Sequence, residues 1–257
     1  MARDDWTAAH VIGPERPAAL VVACEHASCH VPPELSDLGL DAEALRSHIA
    51  WDIGAAPVAR LLGELLDAPV VEGAISRLVY DCNRPLPAPD AIPERSEIHA
   101  VPGNASLTED ARRERFDRVH APYHDALAGT CAAQEEKTGR RATLLTIHSF
   151  TPVYNGMARE LDLGFLHDAT PDLAEAACRA ETLRGIWRAA LNEPYSAADG
   201  VTHTLKLHGE EKGRPALMIE IRNDLIADDA SAERMARHLA ETLKEPLALA
   251  GAGAVRA

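Results

Sequence analysis

"ATLLTIHSF", residues 142–150, decides how this chain is read. Leu144, Leu145, Thr146 and Ile147 form a short, almost wholly apolar run, which His148 and Ser149 close. Such a run is too short for a buried helix and suits a central strand covered on both faces, the kind found in parallel sheets. A histidine closing a strand of this type lies at depth, where an imidazole must find a partner. The same pattern recurs on either side. Ala18–Ala23 is a fully apolar strand that ends in Cys24, Glu25 and His26, and Pro215–Leu225 ("PALMIEIRNDL") is a late strand carrying Glu220, Arg222 and Asp224. Val70-Val71, Leu78–Asp81 and Leu161–Leu166 are further strand candidates.

Helical patterns fill the intervals. Asp41–His48 reads as a short helix, and Ala56–Asp67 as a longer one with Val58, Leu61, Leu62, Leu65 and Leu66 on one face. Leu107 to Thr138 is charged and helical with a break at Pro122, and Pro171–Leu191 is a helix with proline in its first turn. Ala230–Leu243 is the last helix, and the "AGAGAVRA" tail is expected to fray. Five prolines between residues 85 and 105 mark a long loop, and loops of that length in compact domains are often functional. Alternation of strands and helices specifies an α/β fold: one domain over residues 1–257, core about 18–245, with a mostly parallel or mixed central sheet flanked by helices on both faces.

Bulk composition narrows the function. The net charge of −14 argues against nucleic acid or an anionic membrane as partner, since phosphate binding needs a basic surface. No apolar run approaches the ~20 residues of a membrane span, and "MARDDWTAAHVIG" is acidic and lacks the core of a signal peptide. Cys24, Cys29, Cys82, Cys131 and Cys178 form no CxxC pair and suit a reducing compartment. A cytoplasmic protein is expected; nothing in the sequence sets its oligomeric state.

In open α/β sheets, ligands bind beyond the carboxyl ends of the strands. The polar residues there are Glu25 and His26; Asp81, Asn83 and Arg84; His148 and Ser149; and Glu220, Arg222 and Asp224. Two imidazoles and several carboxylates on one rim provide what a catalytic zinc site needs: three protein ligands and an open position. Each residue also has a plainer reading. His26 can be a hydrogen-bonded turn residue, Glu220 can face solvent from an edge strand, and Asn83 and Arg84 can cap the proline-rich loop.

"DCNR", "TIHSF" and "IEIRND" resemble, in that order, the carboxylate-binding, second-histidine and catalytic-glutamate segments of zinc carboxypeptidase-like hydrolases. With "CEHAS", "HIAWDIGA", "SRLVYDCNRP", "IHSFTPVYNG" and a late "HG", the chain from about residue 18 to 226 resembles the N-formylglutamate amidohydrolase family. The resemblance implies a phosphorylase/hydrolase-like, zinc carboxypeptidase-like fold. It further implies His26 and His148 as zinc ligands, Glu220 as general base, and Asn83 and Arg84 as the grip on a substrate carboxylate. Arg77 is a candidate for polarising the scissile carbonyl or binding a second carboxylate, and Arg159 a weaker one for the same work. The carboxypeptidase pattern has a ligand glutamate three residues after the first histidine, where this chain has Cys29. The third ligand is therefore Asp52, Glu25 or Cys29, with Asp52 favoured although it can equally be an N-cap.

The expected reaction is metal-dependent hydrolysis of the N-acyl amide of a small acidic N-acyl amino acid, N-formyl-L-glutamate first. Two alternatives stand beside it: a thiol amidase using Cys24 or Cys29 with His26 or His30, and a metal- or ligand-binding relative without turnover.

Overall fold

Leu20–Cys24, Thr143–Phe150 and Ala216–Arg222 are indeed strands, and almost every residue in them is buried. The structure, a computed structural model, describes residues 5–253. Its first half runs β1 (Ala9–Ile12), β2 (Leu20–Cys24), α1 (Ala42–Arg46), α2 (Ala55–Leu65), β3 (Val70–Gly73), a small ribbon of β4 (Arg95–Ser96) and β5 (His99–Ala100), α3 (Glu109–Arg115) and α4 (Ala121–Thr138). The second half runs β6 (Thr143–Phe150), a ribbon of β7 (Val153–Tyr154) and β8 (Met157–Ala158), β9 (Leu163–Leu166), α5 (Asp172–Arg184), β10 (Ala189–Leu191), β11 (Ala216–Arg222) and α6 (Asp229–Gly253).

Seven strands make one mixed sheet in the order β1-β3-β2-β6-β11-β9-β10. β3, β2, β6 and β11 are mutually parallel, β9 and β10 are parallel to each other, and β1 and β9 run antiparallel to β3 and β11. Period-two alternation splits the strands between two cores. Val22, Leu145, Ile147, Leu217 and Ile219 pack with α2, α5 and α6, whereas Val21, Ala23, Leu144 and Met218 pack with Tyr80, Tyr123 and Leu127 on the α4 side. Helices therefore cover both faces, and the carboxyl ends of β2, β6 and β11 emerge together.

Several elements depart from the sequence reading. Leu78–Asp81 is a buried turn and not a strand: Val79 N donates to Ser76 O and Asp81 N to Ala91 O, at 2.9 and 2.8 Å. Its apolar side chains fill the α4-side core without joining a ladder. The helix expected over Pro171–Leu191 stops at Arg184, because Gly185 adopts φ 65° and caps it; residues 189–191 become the edge strand β10. β1, with a half-exposed "AHVI", carried too little apolar signal to be seen. The last helix extends to Gly253, and the rest of the expected frayed tail lies outside the described residues.

On the α4 side, Arg214 grips Glu135 with two hydrogen bonds of 2.9 and 3.1 Å and donates to His208 O at 3.0 Å, all buried. Removing one partner of a buried ion pair leaves the other uncompensated. Arg214→Met is expected to destabilise the fold by about 3 kcal/mol in urea unfolding. The Glu135→Gln/Arg214→Met double variant should recover part of that loss, and a neutral single variant would contradict the assignment.

Candidate active site

The carboxyl end of β2 delivers Glu25 and His26, and the main chain then passes close to β3: a Cβ on Gly73 would lie 2.0 Å from Glu25 O, so only glycine fits. Asp52 N donates to His26 O at 3.0 Å, which sets Asp52 beside the histidine. Two residues on, Gly54 takes φ 80° and opens α2 without a side-chain cap. A Cβ there would meet Ile226 O at 2.3 Å. Asp52 is therefore not an N-cap; its carboxylate turns inward. β6 brings His148 beside Glu220 of β11, the two being register partners. Ser76, whose hydroxyl donates to Ala50 O at 2.8 Å, pins the turn that presents Arg77 and Asp81.

Asp52 Oδ2 is the meeting point. His148 Nδ1 lies 2.9 Å from it and His26 Nδ1 3.3 Å. The outer nitrogens face carboxylates of their own: His26 Nε2 stands 2.8 Å from Asp81 Oδ1, and His148 Nε2 3.1 Å from Glu25 Oε2. Arg77 closes the arrangement, donating to Asp52 Oδ1 at 3.2 Å and to Asp81 Oδ2 at 2.7 Å. His26, Asp52, His148, Glu25 and Asp81 are all under 5% exposed, so each charge must be balanced locally.

The electrostatics follow from that crowding. Burial alone would raise Glu25, but His148 and His26 overcome it and hold its carboxyl down at about 2. Asp52 and Asp81 are likewise held well below the usual range, because the imidazoles and the Arg77 guanidinium outweigh burial. Both histidines are raised: for His148, Glu25 and Asp52 overcome burial, and for His26, Asp81 and Asp52 overcome both burial and Arg77. Glu220 goes the other way. Burial, reinforced by Asp52, pushes it up to about 7, against His148 and Arg77. Its Oε2 is buried with no hydrogen-bond partner among the described residues.

A cavity of about 300 Å³ opens onto this cluster, lined by His26, Asp52, Arg77, Asp81, His148 and Glu220 at its base. Arg84, Arg95 and His48 stand on its walls. The proline-rich loop supplies one wall through Asp90, Pro93, Arg95, Ser96 and Glu97. Arg84 is braced by Asp90 at 2.6 Å and by Gly200 O at 2.8 Å. Asn83 lines the cavity, but its side-chain amide donates to Val201 O and accepts from Thr204 N, so it anchors the 201–204 segment. Arg159 reaches the same wall indirectly: it donates to Tyr195 OH at 2.9 Å and stacks near Tyr154, Tyr195 and Phe150, which themselves line the cavity. Cys24 faces the opposite core, where burial drives its thiol well above the ordinary value, and Cys29 packs into the α4-side core away from the cavity. Neither thiol is placed to attack a ligand there.

The sequence profile of N-formylglutamate amidohydrolases matches residues 18–227. The chain belongs to that family. Among solved structures, a gene product of Agrobacterium tumefaciens is similar at 41% identity, covering 97% of this chain and 98% of its own, with a TM-score of 0.92. An N-formylglutamate amidohydrolase from Ralstonia eutropha shares the fold at 19% identity, covering 94% of this chain and 97% of its own, with a TM-score of 0.57. None of the curated proteins matches the sequence. No helix among the described residues is long and apolar enough to cross a membrane.

Asp81, His48, Glu97, Arg95 and Tyr195 received no role from the sequence. Asp81 was visible at a presumed strand end, and Arg95 and Glu97 in a loop flagged by its length; Tyr195 carried no signal at all. Asp81→Asn removes a negative charge that favours the His26 imidazolium, so the His26 pKa is expected to fall. NMR titration of the imidazole protons in chelator-treated protein should show that fall, and an unchanged His26 would contradict the contact.

Proposed function

We propose that this chain hydrolyses the N-acyl amide of a small acidic N-acyl amino acid, N-formyl-L-glutamate yielding formate and glutamate, with one divalent ion of the zinc class held by His26, His148 and Asp52. The observation that carries this reading is the convergence of both Nδ1 atoms on one Asp52 oxygen, within a group of donors that all lie within 4.8 Å of one another. The residues present fit such an ion. Two imidazole nitrogens and one carboxylate oxygen are a common zinc donor set; the outer nitrogen of His26 is oriented by its hydrogen bond with Asp81, and that of His148 has the Glu25 carboxylate beside it, which raises its basicity. With both imidazoles neutral, as metal ligands must be, the four buried carboxyl groups Glu25, Asp52, Asp81 and Glu220 face one guanidinium, and a divalent ion would take over the balance that imidazolium protons provide without it. A divalent ion there supplies Lewis-acid chemistry, polarising an acyl carbonyl and making a nearby water more acidic.

The chain's own residues do the rest. Glu220, with its carboxyl raised to about 7, takes the proton from the attacking water and returns it to the departing amine. Arg77 holds Asp52 and Asp81 in place; with both terminal nitrogens engaged it is a positioning residue, a narrower role than polarising the substrate carbonyl. Arg84, its Nε held by Asp90 and its Nη1 by Asn83 O and Gly200 O, offers Nη2 and its charge to a substrate carboxylate at the wall, and Asn83 fixes the segment against which Arg84 is braced. Arg159 acts through Tyr195 on the same wall. Arg84 and Arg95 give the wall local positive charge, although Asp90 and Glu97 stand beside them, in a chain of net charge −14.

The test is formate and amine release from N-formylglutamate and related N-acyl acids. Chelation should abolish turnover and zinc or cobalt restore it; Glu220→Gln should lose about 10²–10⁴ in kcat while keeping its metal. Full turnover after complete metal removal would sink the metal reading. Metal-loaded protein inert toward every N-acyl acidic amino acid would sink the substrate reading.

A further inference from the structure

A second group of imidazoles lies behind the 81–84 segment, and the proposed reaction does not use it. His120 ends a π-helical turn (Phe116–His120), His124 lies in the first turn of α4, His203 comes from the segment that Asn83 anchors, and His208 lies in a second π-helical turn (Leu205–Gly209). π-Helical turns are rare and are frequently found at functional sites. Each of these turns delivers one histidine to the same place.

We propose that His120, His124 and His203 form a second metal site for a borderline-soft divalent transition ion such as zinc or cobalt, with His208 as the adjoining fourth imidazole. The donor atoms of the three lie within 4.8 Å of one another. His120 Nε2 and His203 Nε2 face each other at 3.3 Å. That is long for a hydrogen bond. It matches the separation of about 3.3 Å between two nitrogens that each bind a tetrahedral zinc at about 2.0–2.1 Å. His124 Nε2 donates to Cys82 O at 2.8 Å, which fixes its tautomer and leaves Nδ1 with its lone pair. A ligand histidine whose outer N–H is held by a main-chain carbonyl is the usual outer-shell arrangement of metal sites.

His208 Nε2 lies 2.8 Å from His124 Nδ1, and so carries the proton between them in the metal-free protein. That N–H occupies the His124 Nδ1 lone pair, so His208 gives way when His124 takes an ion; it adjoins the three ligands and lies outside the group whose donor atoms are within 4.8 Å of one another. Burial, followed by mutual repulsion, holds His120 and His208 down at about 3 and His203 at about 4, so the group is neutral and able to ligate at neutral pH. Imidazole donors suit zinc, cobalt, nickel or copper and not magnesium or calcium. His203 is half-buried and gives the ion a path in from solvent. Bound there, the ion would tie α4 and the 201–208 segment beneath the turn that carries Asp81, Asn83 and Arg84.

The test is metal stoichiometry on tag-free, chelator-stripped protein, read by elemental analysis after zinc equilibration and by visible absorption during cobalt titration. His148→Ala isolates the second site from the first, and far-UV circular dichroism confirms folding of every variant. His148→Ala should bind one equivalent, and adding His203→Ala or the milder His203→Gln should reduce that to none with an unchanged fold. Cobalt should also raise the melting temperature of His148→Ala, but not of the double variants. A His148→Ala protein that takes up no ion, or whose uptake His203→Ala and His203→Gln leave intact, overturns the proposal. Because the first site is disabled in these variants, the result is independent of whether the active-site metal reading survives.

Discussion

A single buried carboxylate organises the centre of this protein. Asp52 Oδ2 faces the Nδ1 atoms of both His26 and His148, and Asp52 Oδ1 accepts from Arg77, which also holds Asp81. These residues come from five separate places in the chain: the end of β2, the entry to α2, the turn after β3, and the ends of β6 and β11, which adds Glu220. Nothing local brings them together. What does is the parallel pairing of β2 and β6 and of β6 and β11, which aligns their carboxyl ends within one layer.

That alignment also explains how Glu220 differs from its neighbours. Glu25, Asp52 and Asp81 each have an imidazole or guanidinium in contact and stay ionised, whereas Glu220 sits among them with burial dominating and its carboxyl raised to about 7. Pairs of carboxyl groups whose surroundings push their proton affinities apart are how one site holds fixed charges and a proton carrier together. The cavity wall adds Arg84 and Arg95, set among Asp90 and Glu97, around a space of about 300 Å³ that admits a small molecule.

Much of this was legible in the sequence for a physical reason: a strand buried on both faces is nearly all apolar, so a polar residue at its end stands out. His26, His148 and Glu220 were visible in this way, and the structure brings all three to one cavity. Asp52 was ambiguous because an aspartate before a helix is usually a cap; Gly54 took that position and freed the side chain. Leu78–Asp81 was misread since its apolar residues are buried as a turn, which no periodicity distinguishes from a short strand. Arg77 was a candidate for binding substrate, but its two carboxylate partners depend on side-chain directions that sequence order does not carry. The four-histidine group was invisible for a similar reason: residues 120 and 124 meet 203 and 208 only through tertiary packing.

The central claim is that the two histidines and Asp52 form one coordination site through Nδ1, Nδ1 and Oδ2. Anomalous diffraction from crystals grown with zinc tests it most directly. The account predicts a peak bonded to His26 Nδ1, His148 Nδ1 and an Asp52 oxygen at about 2.0–2.2 Å, with Asp81 and Glu25 on the outer nitrogens. A zinc ion bound through Nε2 with Glu25 or Asp81 as ligand, or an active enzyme with no ion among these three residues, would contradict it.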